Sequence, residues 1–550
     1  MRKNLLFFLF LCACSCVLAQ TPGGAALPRP KLVVGIVVDQ MRWDYLYRYY
    51  DRYQPNGFKR LLGEGFTCEN TYIDYIPTVT AIGHSTVYTG SVPAIHGIAG
   101  NDFIIEATGK SMYCTEDSTV QTVGSFSEAG KMSPRNLLTS TITDELKLAT
   151  NFRSKVIGIA LKDRGGILPA GHTANAAYWF DDSTGNWITS TYYMKELPAW
   201  VKNFNDQKLP EKYLRQDWKP LYDPKTYLQS TPDEEASYEG KYGKSTTTTL
   251  PVNTSAMINP KNYDLIRSTP YGNTLTFDLA KAAIDHEQLG KNVVTDFLTV
   301  SCSSTDYVGH KMGINSLEIE DVYLRFDRDL AGFLSYLDSK VGKGNYTVFL
   351  TADHGAAHNA HFLIDHEIPA GYFDNGRLQR ELNEALDKKY TAKSLVSSMA
   401  NSQIHLNYKT IAAASLDEEA IRKDVVNMLR AKPHISFVID NLRPDESGAP
   451  ELIKSRARNG YNAKRSGVIT FAMEPGWYSG SATPGTGTTH GSWNSYDAHI
   501  PLVWMGWGIR HGHTNRHTGM TDISATLAAL LHIQEPNGCI GKPIEEVMKN

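Results

Sequence analysis

Two short strings in the middle of the chain carry paired carboxylate and imidazole side chains. Asp306 and His310 lie four residues apart in Ser-Ser-Thr-Asp-Tyr-Val-Gly-His, and Asp353 and His354 are adjacent in Thr-Ala-Asp-His-Gly. Each string follows an apolar run rich in β-branched residues, so we expect both pairs at strand ends, facing one crevice. Carboxylate and imidazole are the ligands that zinc and similar divalent metals prefer. The two pairs therefore predict a two-metal site.

Two further positions complete the set of candidate metal ligands. A two-metal hydrolase uses about six protein ligands, so more are needed than the two pairs supply. Asp39 ends the first apolar run, although on position alone an Asp there also suits a helix N-cap. His490 lies in a Gly/Thr/Ser-rich loop that can place a ligand freely, whereas His499 leads directly into a strand and better fits a supporting role. The other clustered histidines are expected to be surface residues or local hydrogen-bond partners: His358, His361, His366, His511, His513 and His517.

A hydroxyl nucleophile is available in the segment 76–85, Ile-Pro-Thr-Val-Thr-Ala-Ile-Gly-His-Ser. A hydroxyl at a helix N-terminus sits in a positive dipole beside free amide donors, which suits a phosphate group. A metal ion on that hydroxyl would lower its pKa. Thr78, Thr80 and Ser85 are all candidates on this ground, and any of them could instead simply cap the helix.

Two cations follow another apolar run. Lys162 and Arg164 stand just beyond residues 156–160, in Gly-Ile-Ala-Leu-Lys-Asp-Arg-Gly-Gly. A guanidinium group binds two phosphate oxygens as a fork, and an ammonium group adds a point charge. Lys-x-Arg after a strand is also typical of a solvated turn. Its expected place at the same sheet edge as the metal candidates favours anion binding.

The elements that must position these side chains alternate between strand and helix. Apolar, strand-like runs recur at 31–38, 156–160, 293–301, 346–351 and 501–505, and helix-like stretches at 136–149, 275–289 and 317–337. This alternation predicts an α/β fold with a central, mostly parallel sheet, whose ligand crevice lies at the carboxyl ends of the strands.

The uneven spacing of the strands predicts a single catalytic domain, residues 20–550, with two insertions. Residues 179–273 are rich in Tyr, Trp, Pro, Thr and Asn with weak periodicity, so we expect loops and short strands that roof the site. Residues 378–473 carry helical stretches and short strands, which is typical of a small α+β subdomain.

The N-terminus predicts export. Arg2 and Lys3 precede an apolar stretch that closes before Gln20, the pattern of a signal peptide (residues 1–19) cut after about Ala19. The expected location is therefore periplasmic or secreted, with a signal anchor or a lipoprotein signal as the alternative. No later run is long enough for a membrane span. The net charge of −3 gives no basic field, so nucleic acid binding is not indicated.

Four cysteines remain once those of the signal peptide are removed. They are Cys68, Cys114, Cys302 and Cys539. An even count in an exported chain favours disulfides, of which three connectivities are open. Buried free thiols are the alternative, and for Cys302 the two readings are equally supported.

Taken in order, these motifs resemble the alkaline phosphatase superfamily and, more closely, the PafA-type, phosphate-irrepressible periplasmic alkaline phosphatases with a threonine nucleophile. The likeness covers nearly the whole mature chain and implies an α/β sandwich with two zinc ions at the strand ends. It makes Thr80, in Thr-x-x-Gly-His, the nucleophile. It also implies the remaining roles: Asp39, Asp353 and His354 hold one zinc with Thr80; Asp306, His310 and His490 hold the other; Asn101, Lys162 and Arg164 contact phosphoryl oxygens.

The resemblance implies zinc-dependent hydrolysis of phosphate monoesters through a phosphothreonine intermediate. No third metal ion, magnesium, is expected, because a lysine fills that place in PafA-type enzymes and Lys162 suits the pattern. We expect small-molecule monoester substrates and a monomer. A sulfatase would need Cys or Ser where Thr80 stands.

Two alternatives stay open. The related nucleotide pyrophosphatases/phosphodiesterases share the threonine and the asparagine, but Lys162 and Arg164 favour a dianionic monoester over a diester. The second alternative is a non-catalytic, exported binding protein on the same scaffold.

Overall fold

The computed structural model describes residues 27–233, 237–480 and 485–549. The predicted signal peptide and its cleavage site lie outside these residues. Within them, no helix is both long enough and apolar enough to cross a membrane.

Fourteen strands of the described residues form the two larger sheets. In chain order they are β1 (Leu32–Val38), β2 (Phe66–Cys68), β3 (Thr122–Val123), β4 (Val156–Ala160), β5 (Ala176–Asp181), β6 (Asn186–Ser190), β7 (Asp296–Cys302), β8 (Tyr346–Thr351), β9 (Val396–Ala400), β10 (Gln403–Leu406), β11 (Ile435–Asp440), β12 (Ile469–Met473), β13 (Leu502–Gly506) and β14 (Gly512–Thr514).

The main sheet has ten strands in the order β14-β2-β13-β8-β1-β7-β4-β5-β6-β3. Its five central strands, β8, β1, β7, β4 and β5, run parallel. All seven residues of β1 are buried, as expected for a strand covered on both faces. The predicted α/β fold with a mostly parallel centre is confirmed, and the strands predicted at 156–160 and 346–351 match β4 and β8 residue for residue.

The last predicted strand departs from the parallel pattern. β13 pairs antiparallel with both β8 and β2. Its residues Leu502–Met505 are buried like those of the parallel strands, so the apolar run that revealed the strand carries no information about its direction.

The longer helices, those of six or more described residues, are α1 (Phe58–Glu64), α2 (Thr80–Thr89), α3 (Ile142–Ala149), α4 (Asp163–Ala170), α5 (Ala199–Asp206), α6 (Leu209–Leu214), α7 (Tyr271–His286), α8 (Ser304–Met312), α9 (Leu317–Leu337), α10 (Ala360–Asp365), α11 (Asn375–Tyr390), α12 (Tyr408–Ala413), α13 (Glu418–Arg430), α14 (Glu451–Gly460) and α15 (Asp522–Leu531). The helix predicted at 317–337 is α9. The one predicted at 136–149 starts later, because the capping box of Thr141 with Asp144 begins α3 at Ile142.

The second insertion forms a small α+β unit. Strands β9-β10-β12-β11 make a four-stranded sheet covered by α11 and α13. Its own hydrophobic core includes Leu382, Ile421 and Phe471.

The first insertion holds short helices as well as the expected loops and short strands. α5, α6 and several single turns of 3₁₀ helix lie between β6 and α7. Arg267, at the end of this segment, donates to the carbonyl oxygens of Leu161 (3.0 Å) and Phe180 (3.0 Å). The insertion is thereby fixed to the carboxyl ends of β4 and β5.

The expectation of disulfides is wrong for the described chain. Cys68, Cys114, Cys302 and Cys539 are all unpaired thiols, and the first three are buried. Cys302 is the last residue of β7, in a central position of the sheet. The three buried cysteines behave as small apolar side chains of the core, a common role of cysteine that the residue count does not distinguish from a bridge.

Candidate active site

The candidate side chains gather because four neighbouring strands end at one edge of the sheet. Asp39 directly follows β1, and Asp353 stands two residues beyond β8. Asp306 lies in the first turn of α8, which begins after β7, and Lys162 follows β4. Since β8, β1, β7 and β4 are consecutive in the sheet, their carboxyl ends place these four residues side by side.

Asp39, Asp353 and His354 form the first group. Each offers a ligand atom, and these atoms lie within 4.8 Å of one another. His354 Nε2 is 3.6 Å from Asp39 Oδ1 and 3.5 Å from Asp353 Oδ2. All three side chains are fully buried.

Asp306, His310 and His490 form the second group, under the same 4.8 Å limit. His310 Nε2 is 3.0 Å from Asp306 Oδ1, and His490 Nε2 is 3.8 Å from the same oxygen. The rings of His490 and His354 stack with centroids 3.5 Å apart, so the two groups adjoin. The structure thus brings together all six predicted ligands, in the two sets that the resemblance implied.

The three histidines are held in one tautomer by backbone carbonyl groups. His310 Nδ1 donates to Thr488 O (2.9 Å), His490 Nδ1 to Thr78 O (2.7 Å), and His354 Nδ1 to Gly355 O (3.0 Å). Because a carbonyl oxygen only accepts, each Nδ1 carries the proton. Nε2 is therefore the ring nitrogen of each histidine that is left to bind a metal ion.

The charge balance of the site also fits a bound cation. Asp39 Oδ1 and Asp353 Oδ2 are buried without a hydrogen-bond partner among the described residues. Burial, together with the charges of Asp306 and Asp353, raises the pKa of Asp39 to about 8. Three buried carboxylates face a single ammonium group, an arrangement that is unfavourable unless further positive charge is present. A donor set of carboxylate oxygen and imidazole nitrogen matches zinc.

Lys162 is that ammonium group. Its Nζ donates to Asp39 Oδ2 (2.6 Å) and to Asp306 Oδ2 (2.5 Å), one carboxylate from each group. Burial alone would lower the pKa of Lys162, but the charges of Asp306 and Asp39 outweigh burial and raise it. Lys162 therefore stays charged inside the site.

Thr80 is the first residue of α2, and its Oγ1 lies 3.5 Å from His354 Nε2. The helix approaches closely because Gly83 packs on Asp353, where an added Cβ would meet the Asp353 carbonyl oxygen at 2.3 Å. The other two hydroxyl candidates donate to backbone carbonyls: Thr78 to Ser492 O (3.0 Å) and Ser85 to Ala81 O (2.8 Å).

Asn101 bonds to the first turn of α2, and Arg164 lies in the first turn of α4. Asn101 Oδ1 accepts from Ala81 N (2.9 Å), which leaves the amide NH₂ end of Asn101 available to a ligand. Arg164 Nη1 donates to Tyr113 Oη (2.9 Å), which in turn donates to Asp163 Oδ1 (2.9 Å). Arg164 Nε is buried without a partner among the described residues.

Sequence reasoning missed two residues that support the carboxylates. Gln40 donates from its backbone N to Asp353 Oδ1 (3.1 Å) and from Nε2 to Asp306 Oδ1 (2.6 Å). His84 Nδ1 lies 2.9 Å from Thr80 O and 3.3 Å from Asp353 Oδ2, and its Nε2 pairs with Ser301 Oγ (2.8 Å). The one available signal was position, since Gln40 follows Asp39 and His84 lies one helical turn after Thr80.

His499 lies outside the site. Its ring stacks between those of Trp43 and Tyr72, with centroids 4.6 Å apart on each side, and its Nε2 pairs with Glu69 O (2.9 Å). His358 pairs with Asn315 Oδ1 (2.9 Å) rather than joining a cluster. Neither belongs to the two groups of candidate ligands.

Known proteins are similar in sequence over nearly the whole chain. Residues 33–495 match the family described as type I phosphodiesterase / nucleotide pyrophosphatase. The chain is 52% identical to alkaline phosphatase PafA of Elizabethkingia meningoseptica over 95% of each chain. It is 50% identical to alkaline phosphatase PhoV of Synechococcus elongatus over 95% of this chain and 93% of that protein. The chain belongs to the PafA-type alkaline phosphatases.

The solved structures agree with this family. A crystal structure of wild-type alkaline phosphatase PafA matches with a TM-score of 0.93 at 52% identity, and covers 95% of this chain and 100% of that one. A Myroides odoratus protein named calcium-transporting ATPase is 60% identical over 95% of both chains. As a PafA-type enzyme the chain is an alkaline phosphatase, which hydrolyses phosphate monoesters and uses metal ions.

Proposed function

We propose that two zinc ions serve this hydrolysis and that Thr80 is the nucleophile. One ion would be held by Asp39, Asp353 and His354 together with Thr80, and the other by the second group, Asp306, His310 and His490. The observation that carries the proposal is the approach of Thr80 Oγ1 to His354 Nε2, 3.5 Å, beside two adjoining groups of buried ligands.

Zinc, when bound, supplies positive charge that lowers the pKa of the threonine hydroxyl and stabilises the departing alcohol oxygen. The chain's own residues position the phosphoryl group and accept it from the substrate. Thr80 Oγ1 attacks phosphorus while the bond between phosphorus and the alcohol oxygen breaks, and the alcohol leaves. The resulting phosphothreonine is hydrolysed by water, which restores Thr80 and releases inorganic phosphate.

The phosphoryl oxygens would be bound by Asn101 and Arg164. The free amide end of Asn101 lies at the start of the helix that begins at Thr80, and a helix N-terminus itself favours an anion. Arg164 adds a guanidinium fork from α4, which packs against that helix. Lys162 adds a fixed positive charge that pairs with Asp39 and Asp306 and offsets one of their two negative charges. One solved relative is a PafA variant in which a threonine, an asparagine, a lysine and an arginine are replaced together, the four residue types assigned here.

Lys162 and Arg164 favour a monoester, whose second nonbridging charge a diester lacks. The test compares a phosphate monoester with a diester that share one aryl leaving group, in zinc-supplemented buffer. We expect a higher kcat/KM for the monoester. Equal or reversed efficiencies would overturn the assignment in favour of a phosphodiesterase.

The remaining proposals concern the oligomeric state, the location and the domain organisation of the protein. We propose a monomer that acts outside the cytoplasm, in the periplasm or after secretion, on small phosphate monoesters, with one catalytic domain spanning residues 20–550. No third metal ion is proposed, since the Lys162 ammonium group already pairs with both Asp39 and Asp306. The ATPase name of the Myroides relative is compatible with this chemistry, because a nucleoside triphosphate is also attacked at phosphorus.

A further inference from the structure

A short β-hairpin adjoins both of the proposed phosphoryl-binding side chains. Its strands Asp102–Ile105 and Lys110–Tyr113 pair antiparallel. Asn101 directly precedes the first strand, and its carbonyl oxygen accepts from the backbone N of Cys114 (2.9 Å), which directly follows the second strand. The hairpin 102–113 therefore fixes where Asn101 enters the site.

The base of the hairpin contacts the two helices next to the proposed phosphoryl site. Asn101 Oδ1 accepts from Ala81 N in the first turn of α2 (2.9 Å), and Tyr113 Oη accepts from Arg164 Nη1 (2.9 Å). The same hydroxyl of Tyr113 donates to Asp163 Oδ1 (2.9 Å) at the start of α4. A shift of the hairpin would therefore move the amide group of Asn101 and release a hydrogen bond of the Arg164 guanidinium group.

The hairpin 102–113 buries little of its own surface. In its two strands only Phe103 is buried, and the other residues are half-buried or exposed. A two-stranded hairpin by itself is at best marginally stable in water. Its position must therefore be set by the parts of the chain that it contacts.

The second insertion supplies several of these contacts. Asn401 Nδ2 donates to Asp102 O (2.9 Å) at the base of the hairpin. Glu106, which follows the first strand, donates from its backbone N to Lys464 O (3.0 Å). The Oε1 atom of Glu106 lies 2.5 Å from Nδ1 of His405, a buried residue of β10. A carboxylate only accepts, so His405 donates this hydrogen bond.

Arg465 of the same insertion adds a further support. Its guanidinium group lies over the ring of Phe103, 5.0 Å from the centroid. Its Nη1 atom donates to Gly97 O (2.7 Å) and to Asn136 O (2.6 Å), which precede and follow the hairpin in the chain. The hairpin is thus connected both to the catalytic helices and to the second insertion.

We propose that the second insertion positions Asn101 and Arg164 by holding the hairpin 102–113 in place. Glu106, His405 and Arg465 are then positioning residues for hydrolysis. They belong neither to the two groups of candidate ligands nor to the proposed phosphoryl contacts, so they act through Asn101 and Arg164. This inference rests on the proposed function, since it assumes that these two side chains bind phosphoryl oxygens.

The experiment measures kcat and KM for an aryl phosphate monoester, and the inhibition constant of inorganic phosphate, at full zinc occupancy and below the Tm of every variant. Glu106→Ala leaves His405 Nδ1 without its acceptor, and Arg465→Ala removes the cation over Phe103. We expect each variant to lower kcat/KM and to weaken inhibition by phosphate, both by about five- to ten-fold. Glu106→Gln keeps an acceptor oxygen and should stay within about two-fold of the parent.

Two controls separate positioning from general stability. Asp424→Ala is the matched variant, because Asp424 joins α13 to α11 by accepting from Lys389 Nζ and Tyr390 Oη (2.6 Å each), within the insertion itself. It should leave kcat/KM unchanged. The second control introduces Glu106→Ala into the double variant Asn101→Ala/Arg164→Ala, where it should change kcat/KM by less than about two-fold.

The inference is overturned if Glu106→Ala and Arg465→Ala leave both kcat/KM and phosphate inhibition as in the parent. It is also overturned if Glu106→Ala causes the same loss with and without the Asn101 and Arg164 side chains. Either result leaves the proposed function intact, since the parent still hydrolyses the ester. No hydrolysis by the unmodified protein, or no loss in Asn101→Ala/Arg164→Ala, would instead count against the proposed function and the inference together.

Discussion

Lys162 Nζ lies 2.5 Å from Asp306 Oδ2, so a buried ammonium group is paired with a carboxylate of the second ligand group. The same nitrogen is 2.6 Å from Asp39 Oδ2, in the first group. The Lys162 ammonium group thus bridges the two ligand groups. We propose that this charge takes the place of a further metal ion.

The metal content follows from this arrangement. We expect metal analysis of the purified protein to give two tightly bound zinc ions per chain. Chelation should abolish hydrolysis and lower the Tm, because Asp39 Oδ1 and Asp353 Oδ2 are then buried without compensation. Readdition of zinc should restore both. Three tightly bound ions per chain would contradict the role given to Lys162.

Arg164 should matter more for monoesters than for diesters. Arg164→Ala is expected to lower kcat/KM for an aryl phosphate monoester by about 10²-fold or more, since a forked donor to the transferring group is lost. The matched aryl diester should lose much less, so the ratio between the two substrates shrinks.

Tyr113→Phe serves as the graded comparison for Arg164. It removes only the hydroxyl that accepts from Arg164 Nη1, so the guanidinium stays but is less firmly held. We expect a smaller loss, about ten-fold, in the same direction. Equal losses on monoester and diester in both variants would argue that Arg164 serves stability rather than charge recognition.

Asp117 links stability to acid pH at a place remote from the ligand groups. Burial would raise its pKa, but hydrogen bonds from Ser133, Thr119 and Arg135 prevail and lower it from 3.8 to about 2. A lowered pKa means that the stabilisation is present above the unfolded value near 3.8. It is lost as the pH falls through about 2.

The variant Asp117→Asn should therefore be less stable than the parent at pH 7, by about 2 kcal/mol of unfolding free energy. The difference should shrink as the pH falls from about 4 towards 2. Urea unfolding at a series of pH values measures it. A difference that is constant with pH would show that shape rather than charge is responsible.

Much of the fold could be predicted from the sequence because buried parallel strands appear there as continuous apolar runs. β4, β8 and α9 agree with the predicted bounds to the residue. The same property concealed the direction of β13, since an apolar run looks alike in either orientation. The state of Cys302 was equally hidden, because a bridge depends on which chain segment packs against the thiol.

Asp39, Asp306 and Asp353 could be predicted because each stands at or shortly after the end of an apolar run. Gln40 and His84 could not, since their importance lies in what they contact across the sheet, up to 313 residues away in sequence. The cavity of about 200 Å³ beside His490 could not be predicted either, because its lining residues, among them Val79, Phe471 and His490, are far apart in the sequence. Which side chains face each other across such a gap is a property of tertiary packing.

The most direct test of the account replaces the proposed nucleophile and its nearest rival. Thr78 and Thr80 are two residues apart and both buried, but only the Thr80 hydroxyl faces a ligand histidine, whereas that of Thr78 donates to Ser492 O. We predict that Thr80→Ala loses at least about 10³-fold in kcat for an aryl phosphate monoester at full zinc occupancy, while Thr78→Ala stays within about ten-fold of the parent. Thr80→Ala activity within ten-fold of the parent, or no hydrolysis by the unmodified protein, would contradict the account.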